Sequence, residues 1–430
     1  MEKKFERMTG RSGMKRMLLT VCLALCCGAP LFSQNLDGLD LFSITTCPGE
    51  DASTQMRLSW GSDTLAVSCT VALAEARDRR WRKARVLPAE GRYCAVYDTI
   101  WSKKADGENF HEDARFLKYD LPLDGLKPKT EYRYVITYEG RDGRRTHSPV
   151  YSFRTAGARS WNACIISDFH NYPPLPGRLT AAMAMLDTVG SYRPYDWVLN
   201  LGDVCAWGGS YSFWVDLYGQ PAFRDCMWAS LNGNHDHMTR RYQLSNDFFR
   251  HATANPQNGY PGEEGVSYWF EYGDALFIML NNETMRDSAG FAAASAWVEK
   301  VLQDHPKARY KVVCEHYQWF FGTDGRTSQF GRWHELFEKY GVNLALSGNN
   351  HIYVRAHHKG VVYIQTPSSD NERGQELFGP LAENEALIDF RWNEGPKTVG
   401  ALHLSVTPKR LVVTLLDRNG AVVDQVRVKP

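Results

Sequence analysis

Between Leu36 and Thr155, apolar and polar positions alternate with a period of two and break at turn residues. Met56–Trp60 and Tyr132–Tyr138 alternate cleanly, Leu65–Leu73 is rich in β-formers, and Gly140–Gly143 supplies a turn. Short strands at this spacing, with no long stretch of helical period, predict an all-β sandwich of the fibronectin type III kind. Asp124–Tyr134 reads as a strand-to-strand corner, with Tyr132 as its buried tyrosine. From Trp161 the pattern changes to short apolar runs separated by helical periodicity, the mark of an α/β unit. Strands are predicted at Trp161–Ser167, Trp197–Leu201, Cys226–Leu231, Ala275–Leu280, Tyr310–Cys314 and Val342–Ser347. Helices are predicted over Arg178–Leu186, around Trp297–Leu302 and over Trp333–Tyr340. The tail from Ala401, with a turn at Arg418–Gly420, reads as a closing β-hairpin.

Five of the apolar runs end in polar residues of one chemical kind. The ends carry Asp168 and His170, then Asp203, then Asn234, His235, Asp236 and His237, then His316, and finally Asn349 and His351. Such groups are costly to bury without partners. In open α/β sheets ligands gather beyond the carboxyl ends of the strands, so all five ends can converge on one crevice. Asp168 and His170 are two apart in an extended turn, which lets both reach one ion, and Asn349 and His351 repeat that spacing. Carboxylate, imidazole and amide oxygen together suit borderline-hard divalent ions or ferric iron better than soft copper. A lone carboxylate such as Asp203, set between two half-sites, meets the requirement for a bridging ligand.

Composition narrows the class. At 430 residues the chain exceeds one ordinary core, and 43% hydrophobic with 23% charged residues is a globular balance. The formal charge is +1, and a surplus of four positive residues lies in positions 1–34, leaving −3 for the rest. That excludes the broad basic face a nucleic-acid groove needs. Met17–Phe32 is nearly all apolar, preceded by Lys15 and Arg16 and followed by Ser33 and Gln34. The layout predicts a secretory signal cleaved near Ser33 and a secreted or periplasmic protein. No later run is long and apolar enough for a transmembrane helix. Export permits disulfides. Cys164, Cys226 and Cys314 lie in strand-like runs and read as buried thiols, while a Cys69–Cys94 bond stays open at this level.

The ordered series resembles the calcineurin-like metallophosphoesterase superfamily, whose signature runs D-x-H, G-D, G-N-H-[DE], H, G-H-x-H. The resemblance is to its purple acid phosphatase-like branch, which carries a fibronectin type III-like module ahead of the catalytic domain. Ser267–Phe270, Leu276–Ile278 and Leu336–Val342 are similar to the family's connecting segments, and Tyr353 and Arg355 match residues after its last histidine. With the signal peptide read over 1–34, the resemblance implies a β-sandwich over 35–156 and a catalytic domain over 160–430. The catalytic domain would be an α/β (α+β) four-layer αββα sandwich.

It also implies two metal ions, divalent (Mn, Zn, Mg or Fe) or a mixed Fe(III)/divalent pair. Asp168, His170 and His351 would hold the first, Asn234 and His316 the second, and Asp203 both. His235 would stabilise the transition state or protonate the leaving oxygen, with Asp236 orienting it. A bridging hydroxide would attack phosphorus of a small-molecule phosphoester, either a monoester or a diester. Tyr172, His237, Tyr353 and Arg355 are candidate substrate contacts. Two positions depart from the family. Ala206 stands where purple members place a tyrosine ligand, so no colour is expected. Asn349 replaces a histidine that binds the second metal, and its neutral amide donates more weakly. That departure carries an alternative, a metal-dependent binding protein that recognises a phosphorylated ligand.

Overall fold

The structure, a computed structural model, describes residues 39–100, 110–237, 247–320, 328–369, 382–392 and 399–430. The expected signal segment, 1–34, lies outside them. Residues Leu36–Pro430 form one compact unit.

Two sheets face each other in the C-terminal part. The first has the parallel strands Trp161–Ile166, Trp197–Asn200 and Met227–Ser230 at its centre. The second aligns Ala275–Leu280, Tyr310–Glu315, Leu344–Ser347 and Val361–Gln365 in parallel. These strands are buried on both faces, which explains why they read as continuous apolar runs. Between the sheets, Trp197 meets Phe277 edge-on at 5.1 Å and Trp161 meets Tyr272 at 5.2 Å. Helices Gly177–Tyr192 and Tyr211–Tyr218 cover the outer face of the first sheet. Helices Ser288–Asp304 and Phe330–Tyr340 cover the second. The layers are therefore helix, sheet, sheet, helix, as expected.

The sandwich is present too, but it is not a detached module. Its second sheet runs Arg85–Ala89, Ala66–Glu75, Glu131–Gly140, Arg145–His147, with Tyr151–Arg154 also pairing to Glu131–Gly140. Its first sheet runs Phe42–Pro48, Met56–Ser62, Phe110–Leu123, Arg92–Ile100, and Phe42–Pro48 pairs in parallel with Met227–Ser230. That pairing fuses the sandwich sheet with the α/β sheet into ten continuous strands. Bonds cross the junction: Tyr134 Oη donates to Arg224 O at 2.8 Å, and Arg57 Nε to Ala254 O at 2.8 Å. Tyr132 is buried, as read from the sequence, and its hydroxyl accepts from Lys127 N at 2.9 Å.

The tail extends the expected hairpin by one strand, and the cysteine pairing that the sequence left open is not formed. The tail forms three strands, Gly400–Val406, Leu411–Asp417 and Val422–Val428, because Thr407 and Arg410 close an additional turn. Cys69 and Cys94 are free thiols: they lie on different sheets of the sandwich, on Ala66–Glu75 and Arg92–Ile100. Cys164 and Cys314 are buried thiols as read, and Cys226 is half-buried.

Candidate metal centre

The chain turns sharply just beyond the strand ends. Nine described non-glycine residues have positive φ, and five of them are Asp168 (+57°), His170 (+46°), Asp203 (+53°), Asn349 (+69°) and His351 (+57°). Non-glycine residues avoid this region, and where they hold it the surrounding structure must over-determine them, most often at functional sites. Glycines make the close approach feasible. A Cβ on Gly202 would sit 2.7 Å from His316 Nδ1, and one on Gly233 would overlap Asp203.

Asp203 lies at the centre. Its Oδ2 is 3.2 Å from both His170 Nε2 and His316 Nε2, while its Oδ1 accepts the backbone N–H of His235 at 2.8 Å. Asp168 Oδ1 lies 3.5 Å from His351 Nε2 and 3.9 Å from His316 Nε2, and both Asp168 oxygens accept from the Asn349 backbone N–H. The cluster therefore straddles the seam between the two sheets. Donor atoms of Asp168, His170 and His351 lie within 4.8 Å of one another, as do those of Asp168, Asp203 and His316, and of His170, Asp203 and His235. The rings are aimed by carbonyls: His170 Nδ1 faces Asp168 O at 2.8 Å and His316 Nδ1 faces Leu201 O at 2.7 Å. That fixes the tautomer with a lone pair on Nε2, the arrangement of a metal-ligating imidazole.

The electrostatics of the bare residues call for a cation. Burial would push the Asp203 carboxyl up, yet the imidazoles of His316, His235 and His170 hold it well below the usual carboxylate range. Burial opposes the His316 imidazolium, but Asp203 and Asp168 raise it to about 10. His170, equally near Asp203, goes the other way: burial takes it down to about 3, and its other charged neighbours are the imidazoles of His235 and His351. Two buried carboxylates facing imidazoles must be compensated by positive charge. A metal ion would supply it and would take the imidazoles in their neutral form. Asn234 Oδ1 is buried without a hydrogen-bond partner, as an amide oxygen waiting for a cation would be. The donor set fits the metal pair that the motif series implied.

His235 Nδ1 faces Ala206 O at 2.9 Å, which leaves Nε2 as its chemically available nitrogen, and Trp207 lies 5.9 Å from the ring. Asp236 does not touch that imidazole. Its carboxylate accepts from Cys205 N at 2.8 Å and Gly233 N at 3.0 Å, tying two strand-end loops together. Burial and the charge of Asp203 push Asp236 up to about 7. The orienting contact expected of Asp236 is supplied instead by a backbone carbonyl. Asn349 donates through Nδ2 to Gln318 Oε1, so Oδ1 is the atom its amide can offer a cation.

The four candidate substrate contacts divide. Tyr172 is half-buried, edge-on to Phe213 at 5.7 Å with the Arg178 guanidinium 5.8 Å from its ring, and His237 is buried. Tyr353 and Arg355 are corrected: Tyr353 Oη and Arg355 Nε bond to Asp424 at 2.8 and 2.7 Å, and Arg355 also reaches Asp389. Their polar groups brace the tail strand. Sequence reasoning missed Asn282, whose Oδ1 accepts from the backbone N–H of His316 and of Tyr317 at 2.7 and 2.8 Å. Its Nδ2 donates to Glu315, which burial pushes up to about 8. A polar pair directly after the strand Ala275–Leu280 was the signal.

Residues 163–353 match the calcineurin-like phosphoesterase family. An uncharacterized protein of Mycobacterium tuberculosis is 25% identical over 270 residues, covering 55% of this chain and 50% of its own length. The chain thus spans about half the length of that relative. Tartrate-resistant acid phosphatase type 5 of Oryctolagus cuniculus is 22% identical over 296 residues, covering 59% of this chain and 86% of its own. Among solved structures, a purple acid phosphatase from yellow lupin (Lupinus luteus) superposes with a TM-score of 0.70 at 16% identity, over 90% of this chain and 74% of its own. PhoD superposes with a TM-score of 0.59 at 13% identity, over 91% and 92%.

Proposed function

We propose that this chain, whose residues 163–353 match the calcineurin-like phosphoesterase family, is an exported hydrolase of phosphate esters that works with two metal ions. The observation that carries this reading is Asp203, whose single oxygen stands 3.2 Å from an imidazole on either side. A carboxylate so placed can belong to two ions at once. Asp168, His170 and His351 would hold one ion, and Asn234, His316 and the Asn349 amide the other. When bound, the pair supplies an activated water and positive charge for the phosphoryl oxygens.

The protein's own residues supply the rest. His235, its Nδ1–H held by Ala206 O, presents Nε2 to the leaving oxygen; acting as the imidazolium, it would pass the Nε2 proton to that oxygen and be left neutral. Asp236 and the Asp203-bound backbone N–H keep the His235 turn in register with the ligand turns. Asn282 fixes the turn that delivers His316. Export is part of this reading and rests on the apolar segment Met17–Phe32. The division into sandwich (35–156) and catalytic domain (160–430), and the fibronectin type III kinship of the sandwich, belong to it as well. The described residues include no helix long and apolar enough to cross a membrane.

The test is metal analysis combined with hydrolysis of an aryl phosphate, on the natural chain and on Asn349→His. A metal pair with turnover in the natural chain supports the hydrolase. Less than one metal per chain and no turnover, both restored by the histidine, would favour the binding protein instead.

A further inference from the structure

A second cluster of ligand-type side chains stands apart from the centre just described. His334 and Glu338 are four apart on helix Phe330–Tyr340 and so share one face. His358 closes the strand Tyr353–His358, five residues and about 17 Å along the strand from Tyr353. Glu338 Oε1 lies 3.1 Å from His334 Nδ1 and 3.0 Å from His358 Nε2. The three donor atoms lie within 4.8 Å of one another. The two imidazole rings are 5.6 Å apart and nearly perpendicular, and Phe330 stacks on His334 while meeting His358 edge-on.

From this we infer that His334, Glu338 and His358 form a separate site for one Zn²⁺-class ion, which fastens the outer helix to the sheet. A tetrahedral ion with bonds of ~2.0–2.1 Å needs its donors roughly 3.3–3.4 Å apart, and the two separations from Glu338 Oε1, 3.1 and 3.0 Å, are within a few tenths of that, while the two imidazoles would close from within 4.8 Å. Two imidazoles with one carboxylate select zinc and its neighbours over magnesium or calcium. The side chains are 24%, 17% and 23% exposed, so the fourth position opens to water. Phe330 walls the inner side. Lys359 Nζ takes the other carboxylate oxygen, Oε2, at 2.8 Å, which leaves Oε1 as a one-atom donor. Lys359 is 63% exposed and can swing clear if its charge opposes the ion. None of these residues takes part in the proposed hydrolysis, so the inference stands whether or not that reading does.

The test uses the full chain carrying Asp203→Asn, which weakens the first centre, and counts zinc bound after dialysis against a weak chelator. Adding His334→Ala and His358→Ala should remove one zinc per chain and abolish the zinc-dependent rise in Tm. Glu338→Gln, which keeps the side chain's shape, should weaken zinc binding by at least ~10-fold and guards against a misfolded double variant. Unchanged zinc stoichiometry and an unchanged Tm response across these variants would overturn the site and leave a hydrogen-bonded ion-pair cluster.

Discussion

Asp203 stands between the imidazoles of His170 and His316, and its substitution should be the most damaging. Asp203→Asn leaves His170 and His316 facing a neutral amide, so metal content should fall and hydrolysis should drop by more than the ~10–100-fold typical of outer partners. Metal analysis alongside a rate assay checks both. His235→Ala should behave differently: kcat falls by roughly 10²–10⁴-fold while the metal stays, because its role is to move a proton. Metal loss in that variant would make His235 a ligand. Most donors were legible in the sequence because each follows an apolar run directly. The role of Asp236 was not, since sequence adjacency to His235 says nothing about where a carboxylate points. Tyr353 and Arg355 were misread for a related reason: their partner, Asp424, lies 69 or more positions away.

Among elements, the strands were readable and the turns were not. Ala275–Leu280 appears with the bounds its apolar run suggested, and helix Gly177–Tyr192 simply runs longer than its periodic core. Nothing in a residue string announces that Asp168, His170 and Asp203 adopt positive φ, because those angles are imposed by neighbouring turns packing against them. Gly233 shows the tightness of that packing, since a methyl group there would collide with the backbone and carboxylate of Asp203. Gly233→Ala should therefore retain the circular dichroism of the fold yet lose roughly 100-fold or more in rate, the cost of displacing a reacting group by about 1 Å. Retained activity would show that the strand-end turns are more compliant than their geometry suggests.

For the whole molecule, the decisive fact is the parallel pairing of Phe42–Pro48 with Met227–Ser230. Sequence analysis separated two domains because the hydrophobic period changes near Trp161, but period reports on elements and not on which sheet they join. A chain beginning at residue 157 should fail to fold in soluble form, because Met227–Ser230 becomes a bare apolar edge. The complete chain should unfold in one calorimetric transition. Acid should destabilise it through His403 and His251. Burial lowers both to about 4 against an ordinary 6.5. Between those values the unfolded chain binds more protons, so stability is full above pH ~6.5 and is lost as pH falls. For His403, 1% exposed, the loss between pH 7 and pH 5 should be about 2 kcal/mol, measurable by urea unfolding and reduced in His403→Gln.

The fused sheet also limits how this protein can be taken apart or recombined. A sandwich transplanted from a relative would have to bring its opening strand in the same register, or the host would lose the neighbour of the very strand that delivers Asn234 and His235. The sandwich is thus part of the scaffold that positions the strand-end cluster, and an ornamental cassette could not take its place.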